Sequence, residues 1–289
     1  MKPAALLLLG LAAAAGAAEP APKQFTATPL AGSVSVLQGW ECNNPVSAGE
    51  DGIVLVDTCG AKIADRLLAA AQRLSAKPLR FVINSHAHGD HTGGNAVVQN
   101  VAPIIAHENA RTRMAAGNKY DKPAAPEALP SITYDGEMIL RLNGEEIRLL
   151  HTPPGHTDGD TVVFFKNANV VYTGDVFISP AASFGDRHYG GSMLGLIQSL
   201  EFVLPQIPAD AKIIPGHGEI STRADVARGL DVLKGMKAVV EAGVQSGKTL
   251  EQLQAERPFD QWRSSIPQWS RSDKSLDGWV RDFYRELTR

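Results

Sequence analysis

Ser85-His86-Ala87-His88-Gly89-Asp90-His91 packs three of the chain's eight histidines into six residues. Four metal-binding side chains crowd one short loop. Neutral imidazoles and a carboxylate are the donors that hold Zn²⁺ and similar borderline ions. A purely structural loop must find a hydrogen-bond partner for each histidine separately, whereas a metal satisfies all four groups together.

Outward from this loop, one arrangement recurs. Residues 79–84 read as a strand that ends where the histidines begin. Residues 147–150 lead to Gly155-His156-Thr157, residues 170–172 to Thr173-Gly174-Asp175, and residues 212–214 to Pro215-Gly216-His217-Gly218. Loops at strand ends along one sheet edge converge in space and let distant sequence build one site. Taken singly, His156 or His217 reads as a structural histidine and Asp175 as a turn or capping residue. Beside the first cluster they read as ligands. Five histidines and two aspartates exceed the three protein ligands of one catalytic zinc. They divide as three, three and a bridge, and a carboxylate such as Asp175 suits the bridge because each oxygen has its own lone pairs.

The rest of the chain alternates short apolar strands with helical segments, the pattern of an α/β fold. Residues 34–37 and 52–57 read as a hairpin across a Gly/Pro/Asn-rich turn. Residues 63–74 carry helical spacing, residues 118–130 read as a surface loop, and Asn143-Gly144 marks a second hairpin. Further helices are expected over 194–204, 224–242, 249–255 and 276–287. In the first hairpin Cys42 and Cys59 would be displaced by four positions, roughly 13 Å at strand rise. That is too far for a disulfide, so two free, partly buried thiols are expected.

The 289 residues are 44% hydrophobic and 20% charged, and the net charge of -3 gives no electrostatic footprint for nucleic acid. Met1-Lys2, the apolar run 4–15 and Ala15-Gly16-Ala17 form the three regions of a secretory signal peptide. The expected organisation is a signal over residues 1–18, then one domain over 19–289 ending in a helical extension. This implies export, as to a bacterial periplasm, with no integral membrane segment in the mature chain. An uncleaved tether is the alternative. Oligomeric state is not legible.

The four ligand segments, in this order and spacing, resemble the metallo-β-lactamase superfamily over about residues 30–225. The resemblance implies a four-layer αββα sandwich with the metals at one edge of the β core. By it, His86, His88 and His156 are the ligands of one ion, Asp90, His91 and His217 those of the other, and Asp175 the bridge. Two Zn²⁺ are expected, with Fe or Mn as substitutes. The ions supply a bridging hydroxide near neutral pH that attacks a small substrate's carbonyl, with Asp90 as catalytic residue orienting it or shuttling its proton. Asp57, at an early strand end, is the candidate acceptor that fixes an imidazole's tautomer; capping is its alternative role.

Within the superfamily, Asp175 points to the thioesterase and lactonase pattern, because the cysteine-containing lactamase subclasses place a Cys ligand near that position. Export disfavours cytosolic thioesters and RNA. An ester, thioester or lactone hydrolase is the leading expectation and a β-lactamase the alternative. A non-catalytic protein that keeps metals for stability or binding is the rival class. Phe184, His188 and Tyr189 are candidate substrate contacts, in a loop whose aromatics could equally pack locally. His107 and His151 are read as structural. Trp262, Trp269 and Trp279 are read as core or helix-docking residues.

Overall fold

The computed structural model describes residues 24–289, and the proposed signal segment lies outside them. Seven strands form one sheet in sequence order: β1 (Thr26–Ala31), β2 (Val34–Gln38), β3 (Asn44–Gly49), β4 (Gly52–Val56), β5 (Leu79–Ile83), β6 (Ile104–His107) and β7 (Ile132–Tyr134). The first four run antiparallel, and β4 through β7 run parallel. Helices α1 (Ala64–Gln72), α2 (Gly89–Thr92), α3 (Asn95–Val98) and α4 (Glu108–Ala116) lie in its connections.

The second sheet holds β8 (Glu137–Leu142), β9 (Glu145–His151), β10 (Thr161–Phe165), β11 (Val170–Tyr172), β12 (Lys212–Ile214) and β13 (Ser221–Thr222). Its β11–β12 pair is parallel and the other pairs are antiparallel. Helices α5 (Met193–Val203), α6 (Arg223–Gln245), α7 (Leu250–Ala255) and α8 (Asp273–Leu287) follow or interrupt it.

Strand alternation explains the layering. In β4, Val54 and Val56 face the second sheet, while Ile53 and Leu55 pack with Leu67 and Ala71 of α1. In β10, Val163 and Phe165 join the first group, while Val162 and Phe164 meet Leu196, Leu200, Leu233 and Phe283 from the other helices. Both faces of each sheet are therefore buried at the centre, which is why these strands read as unbroken apolar runs. The result is helix, sheet, sheet, helix: the expected αββα sandwich.

The early hairpin is different from the expectation. Residues 44–49 are not a turn but β3, inserted between β2 and β4. Pro45 cannot donate to a sheet ladder, and the segment NPVSAG lacks alternation, so its sequence argues against the strand that the sandwich imposes. The β3–β4 register runs from Val46 opposite Leu55 to Gly49 opposite Gly52. Continued the other way, it sets Cys42 opposite Cys59. The two sulfurs are 3.0 Å apart, so the expected separation of roughly 13 Å is wrong; in this structure they are unbonded, and both are buried rather than partly buried. Strand β1 and helix α4 were also not expected.

Candidate metal centre

Every candidate ligand follows the C-terminal end of a strand. β5 runs into the histidine loop, β9 leads to His156, β11 to Asp175 and β12 to His217. The backbone changes character within the loop itself. His88 is extended (φ -66°, ψ 145°) and stands just before α2, whose first turn contains Asp90 and His91. His86 therefore sits in the bend that follows β5 and His88 on an extended residue, while Asp90 and His91 are carried round by helical backbone. Opposite them, Gly216 lies so close to the Asp175 carboxylate that any Cβ there would overlap it.

All seven residues meet. His86, His88, His156 and Asp175 form one group whose ligand atoms lie within 4.8 Å of one another, and Asp90, His91 and His217 form a second. Asp175 touches both: Oδ2 is 3.7 Å from His156 Nε2 and 3.3 Å from His217 Nε2, and Oδ1 is 3.4 Å from His91 Nε2. His217 Nε2 is also 3.1 Å from Asp90 Oδ2.

Each imidazole is tied outward through its other nitrogen. His156 Nδ1 donates to the Phe184 carbonyl at 2.7 Å, and His217 Nδ1 donates to the Glu41 carbonyl at 2.6 Å. His91 Nδ1 donates to Asp57 Oδ2 at 2.8 Å, and His88 Nε2 to Asp186 Oδ2 at 3.2 Å. Ser85 Oγ spends its proton on Asp57, so it accepts from His86 Nδ1 at 2.9 Å. Asp57 also accepts from Ser85 N and from the Tyr172 hydroxyl, joining the two sheets beneath the site. It thus takes the tautomer-fixing role expected of it. Asp186 and the carbonyls of Glu41 and Phe184 were not anticipated. Backbone carbonyls leave no trace in residue type, and Asp186 sits in a loop without periodicity.

These outward bonds leave five nitrogens facing inward. His88 Nδ1 meets His156 Nε2 at 3.0 Å, and His91 Nε2 meets His217 Nε2 at 3.2 Å. With the outer nitrogens as donors, each pair sets lone pair against lone pair unless a proton or a cation lies between. His86 Nε2 is buried with no hydrogen-bond partner among the described residues, as is Asp175 Oδ1 beyond its approach to His91. Buried polar atoms without partners are costly, and divalent cations satisfy them. The donor set fits such ions.

The electrostatics divide the site. Burial, with help from His91 and His88, pushes His86 well below its ordinary value. Burial and then His88 push His156 down to about 4. Burial also opposes charge on His91, but Asp175, Asp90 and Asp57 overcome it and hold that imidazole well above its usual range. The same contest, with Asp175 prevailing, lifts His217 to about 10. Asp175 in turn is held well below the usual carboxylate range: burial works against this, and His217 and His91 outweigh it.

The candidate substrate contacts separate. Phe184 presents its ring edge-on to His156 at 5.0 Å. Tyr189 is buried with its ring 4.4 Å from His88, and its hydroxyl donates to Asp121, so its proton is not free for a substrate carbonyl. His188 packs edge-on against Tyr120. His107 and His151 stack on each other at 3.5 Å and bond to the Asp135 and Asp160 carbonyls, a structural role as expected. Trp279 is buried in the core and Trp262 packs on Phe259, also as expected. Trp269 departs from the expectation. It is 58% exposed and its ring lies 6.4 Å from His217 and 5.9 Å from Phe184. Its position depends on how the C-terminal segment folds back, which local sequence does not encode.

A two-sheet sandwich with a His/Asp cluster at its strand ends defines a class of metal-binding folds, and the family relationships point the same way. The family model for the metallo-beta-lactamase superfamily matches residues 28–217, and the chain belongs to that superfamily. It is 30% identical over 153 residues to a hydroxyacylglutathione hydrolase of Nitrosococcus oceani, covering 52% of each chain. It is 28% identical over 189 residues to a metallo-beta-lactamase type 2 of Bacillus cereus, covering 63% of this chain and 69% of that one. The chain thus spans about half the length of the hydroxyacylglutathione hydrolase. Among solved structures, a metallo-beta-lactamase from Pontibacter korlensis superposes with a TM-score of 0.64 at 18% identity, over 73% of this chain and 99% of that one.

Proposed function

We propose that the chain is an exported dinuclear zinc hydrolase that cleaves an ester, thioester or lactone carbonyl of a small molecule. The observation that carries the two-ion reading is the position of Asp175, one oxygen or the other within 3.7 Å of His91, His156 and His217. His86, His88 and His156 would hold one ion and Asp90, His91 and His217 the other, with Asp175 shared. Bound there, such ions supply Lewis acidity that makes water nucleophilic near neutral pH and polarises a carbonyl. Fe or Mn in place of zinc would suit the same donors.

The chain's own residues do the rest. The outward hydrogen bonds hold each imidazole rigid, so little reorganisation accompanies reaction. The Asp90 side chain is 40% exposed, and it takes the proton from the attacking water or orients that water. Phe184 and Trp269 offer an aromatic wall beside His156 and His217, against which an apolar acyl or leaving group packs. Export rests on the apolar run at residues 4–15.

A second reading, cleavage of β-lactams, is favoured by the similarity to the Bacillus cereus enzyme. Against it, neither cysteine stands near position 175. The test is a panel of chromogenic esters, thioesters, lactones, β-lactams, sulfate esters and phosphodiesters on zinc-loaded protein, with metal content measured in parallel. Two zinc ions per chain and carbonyl-substrate turnover that chelation abolishes are expected. A single ion at full occupancy, or a fully loaded protein inert on the whole panel, overturns the proposal.

A further inference from the structure

The second group of ligands rests on two chain segments that the cysteines bring together. Glu41 gives its carbonyl to His217 Nδ1, and Asn43 donates from its backbone to Gly216 and from its side chain to Pro215 and Gly218. Residues 41–43 therefore cradle the loop that carries His217. Across from them, Asp57 accepts a hydrogen bond from His91 Nδ1, and the Thr58 amide donates to the His91 carbonyl at 2.7 Å. Residues 57 and 58 therefore hold His91. Cys42 lies inside the first segment and Cys59 ends the second. Their sulfurs are 3.0 Å apart, buried, and both directed at Asn44 Oδ1. Asp57 and Cys59 also have positive φ (59° and 54°), a costly backbone state that persists only where the surroundings enforce it.

We propose that Cys42 and Cys59 are joined by a disulfide that clamps the segments supporting His217 and His91. The cross-link stands on the sulfur geometry alone; its effect on metal binding rests on the two-ion reading. A small-molecule disulfide such as glutathione disulfide serves as oxidant. One cysteine thiolate attacks it, forming a mixed disulfide and releasing one glutathione; the second cysteine then displaces the other. Two electrons pass to glutathione, and the two cysteine protons end on the two glutathione thiols. Because both sulfurs are shut from solvent in the folded chain, the exchange belongs to folding, before the strands close over them.

The test unfolds the chain, refolds it with zinc in a glutathione redox buffer, and alkylates it in denaturant. The expected product is lighter by two hydrogens and unalkylated, and it alkylates twice after reduction. Refolded protein that alkylates at both cysteines without reduction overturns the cross-link. Zinc competition with a chromophoric chelator then compares the oxidised form with phosphine-reduced protein and with the Cys42→Ser/Cys59→Ser variant, circular dichroism confirming the fold. The second ion is expected to bind about tenfold more tightly to the oxidised form, the scale seen when outer support of a ligand is lost. Equal affinity in all three removes the clamp while leaving the cross-link. One zinc ion in every form removes the two-ion reading and the clamp with it, and the mass result still judges the cross-link.

Discussion

The two groups of ligands share Asp175 but live in opposite electrostatic settings. Around His86 and His156, burial dominates and keeps the rings neutral. Around His91 and His217, carboxylates dominate and draw positive charge in. The first group is thus ready for a metal at neutral pH, whereas in the second a metal must displace a proton. The contrast teaches that two superficially alike His/Asp sites differ in what they exchange. On the proposed two-ion reading, one would take up an ion alone, and the other would trade one cation for another.

The largest expected effect comes from removing what the two groups share. Asp175→Asn keeps the shape and deletes the charge, and kcat/KM on the best panel substrate should fall about a thousandfold, the scale of losing a group that stabilises the transition state. Circular dichroism would show the fold retained, and a variant with parental turnover would break the comparison. Asp57→Asn acts directly on the second group, through His91, and reaches His86 of the first only through Ser85. The affinity for one zinc ion should weaken about 10- to 100-fold while the other stays bound, as read by chelator competition.

The charge contrast itself can be measured by calorimetry in buffers of different ionisation enthalpy. At pH 7 the ion entering beside His86 and His156 should release almost no protons from those rings. The ion entering beside His91 and His217 should release about one or more. The sign follows from the directions: a ring held below its usual value is already unprotonated, and one raised to about 10 is not. Acidification should therefore strip the second ion first; equal proton release at both would contradict the division. The smallest effect is expected from Trp269→Ala. Losing one aromatic contact should raise KM about fivefold for aryl substrates, with kcat and the KM of small alkyl substrates little changed.

What the sequence discloses, and what it hides, follows the range of the interactions involved. The seven clustered residues are legible because each has ligand chemistry, a neighbouring or nearby glycine and a strand before it. The sandwich is legible because runs such as Ile53-Val54-Leu55-Val56 and Val162-Val163-Phe164-Phe165 are apolar on both faces. Strand β3 is hidden because Pro45 and small residues contradict its local propensity, and with it went the register that pairs Cys42 with Cys59. Trp269 and Asp186 are hidden because tertiary folding alone brings them to the cluster. The carbonyls of Glu41 and Phe184 are invisible in principle, since every residue has one.

The candidate ligands are divided between the halves of the sandwich. His86, His88, Asp90 and His91 follow the first sheet, and His156, Asp175 and His217 follow the second. No ion can be fully coordinated until both halves have folded and docked. Metal occupancy is therefore also a report on assembly: a half-formed chain is left with weak partial sites, while the docked chain gains stability in proportion to the ion's affinity for it. On the proposed two-ion reading, the centre would act as a rivet between two sheets as well as a place for chemistry.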